Sequence, residues 1–496
     1  MPSTHKLLIE MMLRNLAGSC HTMADNKELG ERIKAILLGG QKIGFAWCEM
    51  EEKLGALPYI DWKSEARLNV DKSSWVLSGE KTYIKKDNYD YYLLFCRITH
   101  YPEDERPLQM LKPEDSNPGI VTFLVPRSLV QVIHEDNSES DGRLFEFQRI
   151  KFDQLTLPRD KYELFEAEEF GSLALSLRGV GHLNSSAVLL GMLKGLQKEV
   201  YEHLRSNRLP LLNCQLVEQK LCEMTNQIYT IESMLYLCSA MYDCFKMESW
   251  PDMSLEANAT KVISIEYARE FLNTAQSLMG SKMLEVSRFH DLVNLLDTFL
   301  DNTIHHRLSL SLVGQHFIGQ YKHEAVQKHN LAPFFPAFML KYFISSRRQR
   351  KDDPIMNLDL KGHLHPSLRD QAIQLEYCVK RMEYAAEFAL IHHHKRTASH
   401  QVDLWRLSKI ATNLFAMTCV LSRANRAYTE TLQNAETEVF IATVIIQKLW
   451  MDIREYVDEI ERSGNRTPEV YYRDIHHKNL NFGGYFAYSP LEKFFY

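Results

Sequence analysis

Three groupings in this chain have residue types that could do chemistry. His392–His394, followed by Lys395 and Arg396, could offer imidazoles to a metal. Adjacent side chains on a helix point in different directions, however, and no carboxylate–cysteine set at ligand spacing accompanies the triplet. It reads as a solvated helix surface, and no metal is expected. The nine cysteines could make a zinc or redox-dithiol site, but no C-x-x-C pair occurs. An odd number scattered through apolar stretches such as Tyr236–Cys244 reads as reduced thiols in cores. The third grouping is Pro333–Lys351, PFFPAFMLKYFISSRRQRK, in which Phe338, Tyr342 and Phe343 lead into Arg347, Arg348, Arg350 and Lys351. An amphipathic segment with flanking cations can lie in an anionic membrane interface or meet a partner. The alternative is an interdomain connector whose aromatics fill a core and whose cations are solvated.

The elements that must position such groups are bounded by the bulk numbers. At 496 residues the chain exceeds one ordinary core, and two to four domains are expected. Hydrophobic content of 45% and charged content of 25% are those of an ordinary globular protein. A net charge of −6 gives no electrostatic reason to expect nucleic-acid binding. No apolar run approaches the roughly 20 residues of a membrane-spanning helix. The amino-terminal stretch, MPSTHKLLIEMMLRNLAG, has the look of a weak targeting helix, but Glu10 counts against it and an ordinary helix fits as well. Three Asn-x-Ser/Thr triplets, at Asn184, Asn258 and Asn465, are taken as chance matches without a secretory signal.

Along the chain, residues 1–38 predict helix, with an apolar face through Leu8, Met12, Leu16, Ile33 and Leu37. From Gly44 the pattern predicts strands: Trp75–Ser78, a turn at Gly79, Lys81–Ile84, Tyr91–Ile98, Gly119–Val125 and Leu144–Phe152. From about Leu164 the pattern is helical. Asn184–Ser206 starts with an apparent asparagine cap, and Leu216–Phe245, Leu255–Met279 and Val402–Gln433 follow. Breaks fall near Trp250–Asp252 and over 331–366.

Several motifs within this order resemble one family. Trp75–Lys86 (WVLSGEKTYIKK) resembles a W-x-L-N-G-x-K-x-W-I-T-N hairpin, and Cys214–Tyr236 (CQLVEQKLCEMTNQIYTIESMLY) resembles an F-x-L-I-Q-x-K helix with its E-S-M continuation. Thr298–Arg307 (TFLDNTIHHR) aligns with I-F-E-G-T-N-E-I-L-R. These are motifs of the acyl-CoA dehydrogenases. His363–Leu368 (HLHPSL) and Ala416–Arg426 (AMTCVLSRANR) are similar to segments of the very-long-chain branch. Within that branch the chain is most similar to the catalytically divergent type that serves mitochondrial complex I assembly.

The resemblance implies a mostly α fold with a central β-domain, a four-helix-type domain and an appended carboxyl-terminal helical domain. The expected units are 1–43, a remnant of an amino-terminal helical domain; 44–160, the β-domain; 161–325, the helical flavin and dimer domain; 326–366, the amphipathic basic connector; and 367–496, the appended domain. Fewer than 45 residues precede the β-domain, where the family has more than a hundred, so an incomplete acyl cavity is expected.

The resemblance also assigns the site. The catalytic glutamate position is occupied by Leu300, which cannot accept a proton. Asp301 is adjacent, but neighbouring side chains on a helix start diverge by about 100°. Some family branches place the base on a neighbouring helix, which makes Glu232 a weak alternative. His305 and His306 fall on apolar motif positions and read as core or pocket-lining residues. FAD is possible by family, yet its site is degraded. The flavin-contacting Thr-Glu-Pro element falls on Met50-Glu51-Glu52 within Phe45–Leu57, and the hairpin tryptophan and threonine are Tyr83 and Lys85. Of the glycine-rich Q-x-x-G-G-x-G-Y loop, Gln276 and Gly280 remain, and the pyrophosphate residues fall on Leu204 and Asn207. Arg205, Arg208 and Lys282 are nearby cations that could compensate.

Two functions follow. One is an inactive dehydrogenase-like scaffold, a homodimer that meets complex I assembly factors and contacts the matrix side of the mitochondrial inner membrane. The other is an active FAD-dependent long-chain acyl-CoA dehydrogenase with a relocated base.

Overall fold

The computed structural model describes residues 27–46, 63–85, 89–100, 120–133, 146–167, 170–207, 214–244, 253–294, 296, 313–314, 347–393, 401–462 and 469–487. Helix α1 (Lys27–Leu38) comes first, with Ile33 and Ile36 on its buried side.

Eight strands then form one curled sheet: β1 (Ile43–Ala46), β2 (Glu65–Leu68), β3 (Ser74–Lys85), β4 (Tyr91–His100), β5 (Ile120–Pro126), β6 (Gln131–Ile133), β7 (Glu146–Pro158) and β8 (Glu163–Ala167). Their order is β6-β7-β3-β2-β4-β5-β8, and β1 also pairs with β4. One edge of β4 is shared, its first half pairing in parallel with β1 and its second half in parallel with β2. Tyr92 through Cys96 are buried without alternation, as expected of a strand covered on both faces. Trp75 on β3 meets Phe123 on β5 edge-on, with centroids 6.1 Å apart.

Two sequence expectations in this region are corrected. The turn expected at Gly79 is absent. β3 runs straight through it, and its register against β7 shifts between Leu77 and Gly79, as a bulge does. Glycine is required there because φ is +147° and a Cβ would lie 2.4 Å from the Ser64 Cα. Secondly, Glu163–Ala167 is a strand paired with β5, so the long helices begin only at Phe170.

Three long helices follow: α2 (Phe170–Asn207), α3 (Gln215–Cys244) and α4 (Ser254–Met279), with the short α5 (Ser287–Asn294) behind them. Asn184 is therefore interior to α2 rather than its cap. Leu193, Leu196 and Val200 of α2, Met224 and Ile231 of α3, and Ala268 and Phe271 of α4 interlock in one core. Each buried leucine or isoleucine here contributes roughly 1.5–3 kcal/mol over exposure.

The carboxyl-terminal helices are α6 (Arg369–His393), α7 (Gln401–Thr429), α8 (Ala435–Arg462) and α9 (Glu469–Phe482). The core of α6, α7 and α8 takes in Tyr229 and Met234 of α3 and Ala259 and Ile263 of α4, so these appended helices continue the first bundle's hydrophobic packing. Among the described residues, no helix is long and apolar enough to cross a membrane.

Candidate functional site

Glu232 lies on α3, one helical turn beyond Tyr229 and Ile228, at the seam where α2, α7 and α8 meet that helix. Its carboxylate forms an ion pair with Lys194 of α2 and accepts a hydrogen bond from Arg423 Nη1 of α7 at 3.0 Å. Burial pushes the Glu232 carboxyl up, but hydrogen bonds and charge from Lys194 and Arg423 outweigh it and hold the group below the usual glutamate range. Arg423 also lies 4.1 Å from the Tyr229 ring centroid and 3.6 Å from Glu438 of α8. The Tyr229 hydroxyl donates to Glu438 at 2.7 Å. Burial and that hydrogen bond push the phenol well above its ordinary range. Five groups on four helices thus satisfy one another. Glu232 and Arg423 belong to two separate sequence motifs, and the fold brings them together.

The positions that the resemblance assigns to a flavin site are distributed along the sheet and the end of α4. Tyr83 and Lys85 lie on β3, in register with Gln148 and Glu146 of β7. Gln276 and Gly280 form the carboxyl-terminal cap of α4: the Gly280 N–H donates to the Gln276 carbonyl, with Gly280 at φ +62°. Nothing lies within 4 Å of where a Gly280 Cβ would be, so the backbone conformation alone calls for glycine. Leu204 is buried in the bundle core, whereas Arg205 one residue on is exposed. Lys282 is ion-paired with Glu285.

Leu300 and Asp301 lie outside the described residues, as do Met50–Glu52, His305, His306, Arg208, Phe338, Tyr342 and Phe343. The cations after Phe343 are described. Arg347, Arg350 and Lys351 are exposed, and Arg348 pairs with Asp353 at 2.8 Å. This turn is fastened by Arg381 of α6, a buried arginine in an apolar helical phase that the sequence did not single out. Its Nη1 donates to the Gln349 carbonyl at 2.6 Å, while Asp352, Glu461 and Asp458 lie 3.3, 3.4 and 3.6 Å from the guanidinium. Asp352, at φ +59°, also binds the Tyr377 hydroxyl and Arg454. Among the described residues no group of three His, Cys, Asp or Glu side chains is placed to hold a metal ion.

A β-sheet inserted ahead of a helical bundle with this topology is the acyl-CoA dehydrogenase fold. A Bacillus anthracis acyl-CoA dehydrogenase crystallised with FAD superposes with a TM-score of 0.69 over 96% of this chain and 78% of that one, at 15% identity. Butyryl-CoA dehydrogenase from Megasphaera elsdenii gives a TM-score of 0.50 over 63% of this chain and 78% of its own, at 17% identity.

The appended helices narrow the likeness further: residues 366–485 match the ACAD9/ACADV C-terminal domain. Very long-chain specific acyl-CoA dehydrogenase, mitochondrial, of Macaca fascicularis is 25% identical over 429 residues, and the human protein of that name is 24% identical over the same length. Each alignment takes in 84% of this chain and 63% of the relative. The chain is acyl-CoA dehydrogenase-like, and it spans under two thirds of the length of these relatives.

Proposed function

We propose that this chain is a catalytically inactive acyl-CoA dehydrogenase-like scaffold that acts in respiratory complex I assembly, on the matrix side of the mitochondrial inner membrane. The observation that carries the reading is the state of Glu232. With Leu300 at the motif's base position, Glu232 is the carboxylate left on the neighbouring helix, and two cations of its own chain hold it. A carboxylate held ionised in this way is a poor acceptor for the weakly acidic proton beside a thioester carbonyl.

The residues present also do not fit a tightly held flavin. The pyrophosphate arginine position is a leucine sunk in the core, Lys282 is engaged by Glu285, and Gln276 and Gly280 have a complete local role as a helix cap. The names of the very-long-chain relatives support the mitochondrial setting. The assembly role rests on the resemblance of His363–Leu368 and Ala416–Arg426. Exposed Arg347, Arg350 and Lys351 support peripheral contact with anionic lipid. A homodimer is expected, as in the family.

The test is the visible absorption spectrum of the purified chain, before and after adding a long-chain acyl-CoA. A colourless protein that does not take up FAD, inactive even as Leu300→Glu, is the expected result. Cells lacking the chain should accumulate incomplete complex I on native gels. A flavin band that bleaches with acyl-CoA would overturn the reading in favour of a dehydrogenase with a relocated base, and Glu232→Gln should then abolish the bleaching.

A further inference from the structure

Helix α9 is built as a finished helix yet keeps its apolar face in solvent. Gly483, at φ +71°, and Gly484 close its end, with the Gly484 N–H donating to the Asn479 carbonyl at 2.9 Å. Phe486 then turns back, its ring centroid 6.3 Å from that of Phe482. Tyr471, Tyr472, Ile475 and Phe482 share roughly 100° of the helix surface. They are 67, 60, 45 and 69% exposed.

The chain carries a second unpartnered stripe. The inner face of α8 is buried through Val439, Ala442, Ile446, Leu449 and Ile453. On its outer face Phe440, Val444 and Met451 are 68, 54 and 51% exposed. From Phe440 to Met451, and from Tyr471 to Phe482, each stripe runs about 16 Å at 1.5 Å per residue. The two therefore match in length and in apolar character.

We infer that α9 is a docking helix exchanged between two copies of this chain, its aromatic face seated on the Phe440–Met451 stripe of the other copy's α8. An isologous exchange covers both stripes twice. The side chains involved would bury on the order of 1,500 Å², within the roughly 1,200–2,000 Å² of a standard interface. An anionic membrane is a poorer occupant. The charges along α9, Glu469, Arg473, Asp474 and Lys478, cancel and provide no net attraction to lipid headgroups.

The contact is separate from the cofactor question, so a coloured, active protein would leave it standing. It is tested by mixing two differently tagged full-length chains, one Val444→Cys and the other Ile475→Cys, under mild oxidation, and mapping disulfides by mass spectrometry. A bridge between positions 444 and 475 of different chains is expected. Phe440→Glu or Phe482→Glu, both at exposed positions that leave helicity unchanged by circular dichroism, should each lower its yield at least tenfold. A bridge found only within single chains carrying both cysteines would mean that α9 closes on its own α8. That result, no bridge at all, or a yield indifferent to both glutamates would each overturn the inference.

Discussion

Replacing Arg423 with methionine tests whether the polar seam at Glu232 holds the appended helices to the first bundle. Methionine keeps the aliphatic volume and removes the charge. The variant loses the 3.0 Å hydrogen bond to Glu232, the 3.6 Å approach to Glu438 and the stacking 4.1 Å from the Tyr229 centroid. A charge-assisted hydrogen bond contributes about 1.5–3 kcal/mol, and a cation–π contact at a part-exposed site about 0.5–1 kcal/mol. The Arg423 side chain is 33% exposed, so the longer ion pair adds little. A total of about 2–4 kcal/mol follows from these contributions. Several packed units need not unfold in one step. The readout is therefore native-state hydrogen exchange of α7, where about 2–4 kcal/mol appears as exchange roughly 30- to 1,000-fold faster. The carboxyl of Glu232 is depressed in the folded state, so its contribution is complete above the unfolded glutamate pKa and is lost as pH falls through the lower folded value. The difference between the two proteins should thus be full at neutral pH and shrink as acid protonates Glu232. The reasoning is refuted if α7 exchange rises less than about fivefold. It is equally refuted if Glu232→Gln costs the same with and without Arg423, because a coupled pair must be non-additive.

Three further outcomes are expected. Gly79→Ala forces a Cβ to 2.4 Å from the Ser64 backbone at φ +147° and should cost roughly 3 kcal/mol or more, read as an early thermal transition in the fluorescence of Trp75 on the same strand. Arg381→Met leaves Asp352, Asp458 and Glu461 without their shared cation and should cost about 2–4 kcal/mol, exposing the Arg347–Lys351 turn to faster trypsin cleavage. Alkylation at mildly alkaline pH should label exposed Cys214, Cys222 and Cys244 well before Cys238, whose thiol burial pushes up to about 11, or Cys378 and Cys419, which burial raises further.

The parts of the fold legible in the sequence were those where local pattern and tertiary environment agree. The run Tyr91–Ile98 is apolar or aromatic except at Arg97, and it became an interior strand of the sheet. The spacing in Leu216–Phe245 and Leu255–Met279 returned α3 and α4 almost unchanged. Where environment overrides pattern, the reading failed. Gly79 signals a turn, but β7 pairs with both sides of it and turns the signal into a bulge. Gly171, Gly179 and Gly181 each lower helix propensity by about 1 kcal/mol, so Asn184 reads as a cap, yet α2 runs through all three glycines. β8, ELFEA, is too short to announce itself beside a long helix. For the candidate site, the motif residues were visible but their partners were not. Nothing local in Ala416–Arg426 says that Arg423 reaches Glu232, because that contact spans 191 residues.

For Glu232 to act as a base it would have to release two cations and rise toward the pKa of the proton it removes, since base strength falls as the pKa falls. Releasing them would remove the ionic contacts of α3 with α2 and α7 and leave the Tyr229–Glu438 hydrogen bond toward α8. The continuous core through Tyr229, Met234, Ala259 and Ile263 makes those same helices the platform on which α6, α7 and α8 rest. The arrangement that would free the base is therefore the one that loosens the platform. A chain with this seam favours a fixed carboxylate over a mobile one, as the proposed scaffold role requires.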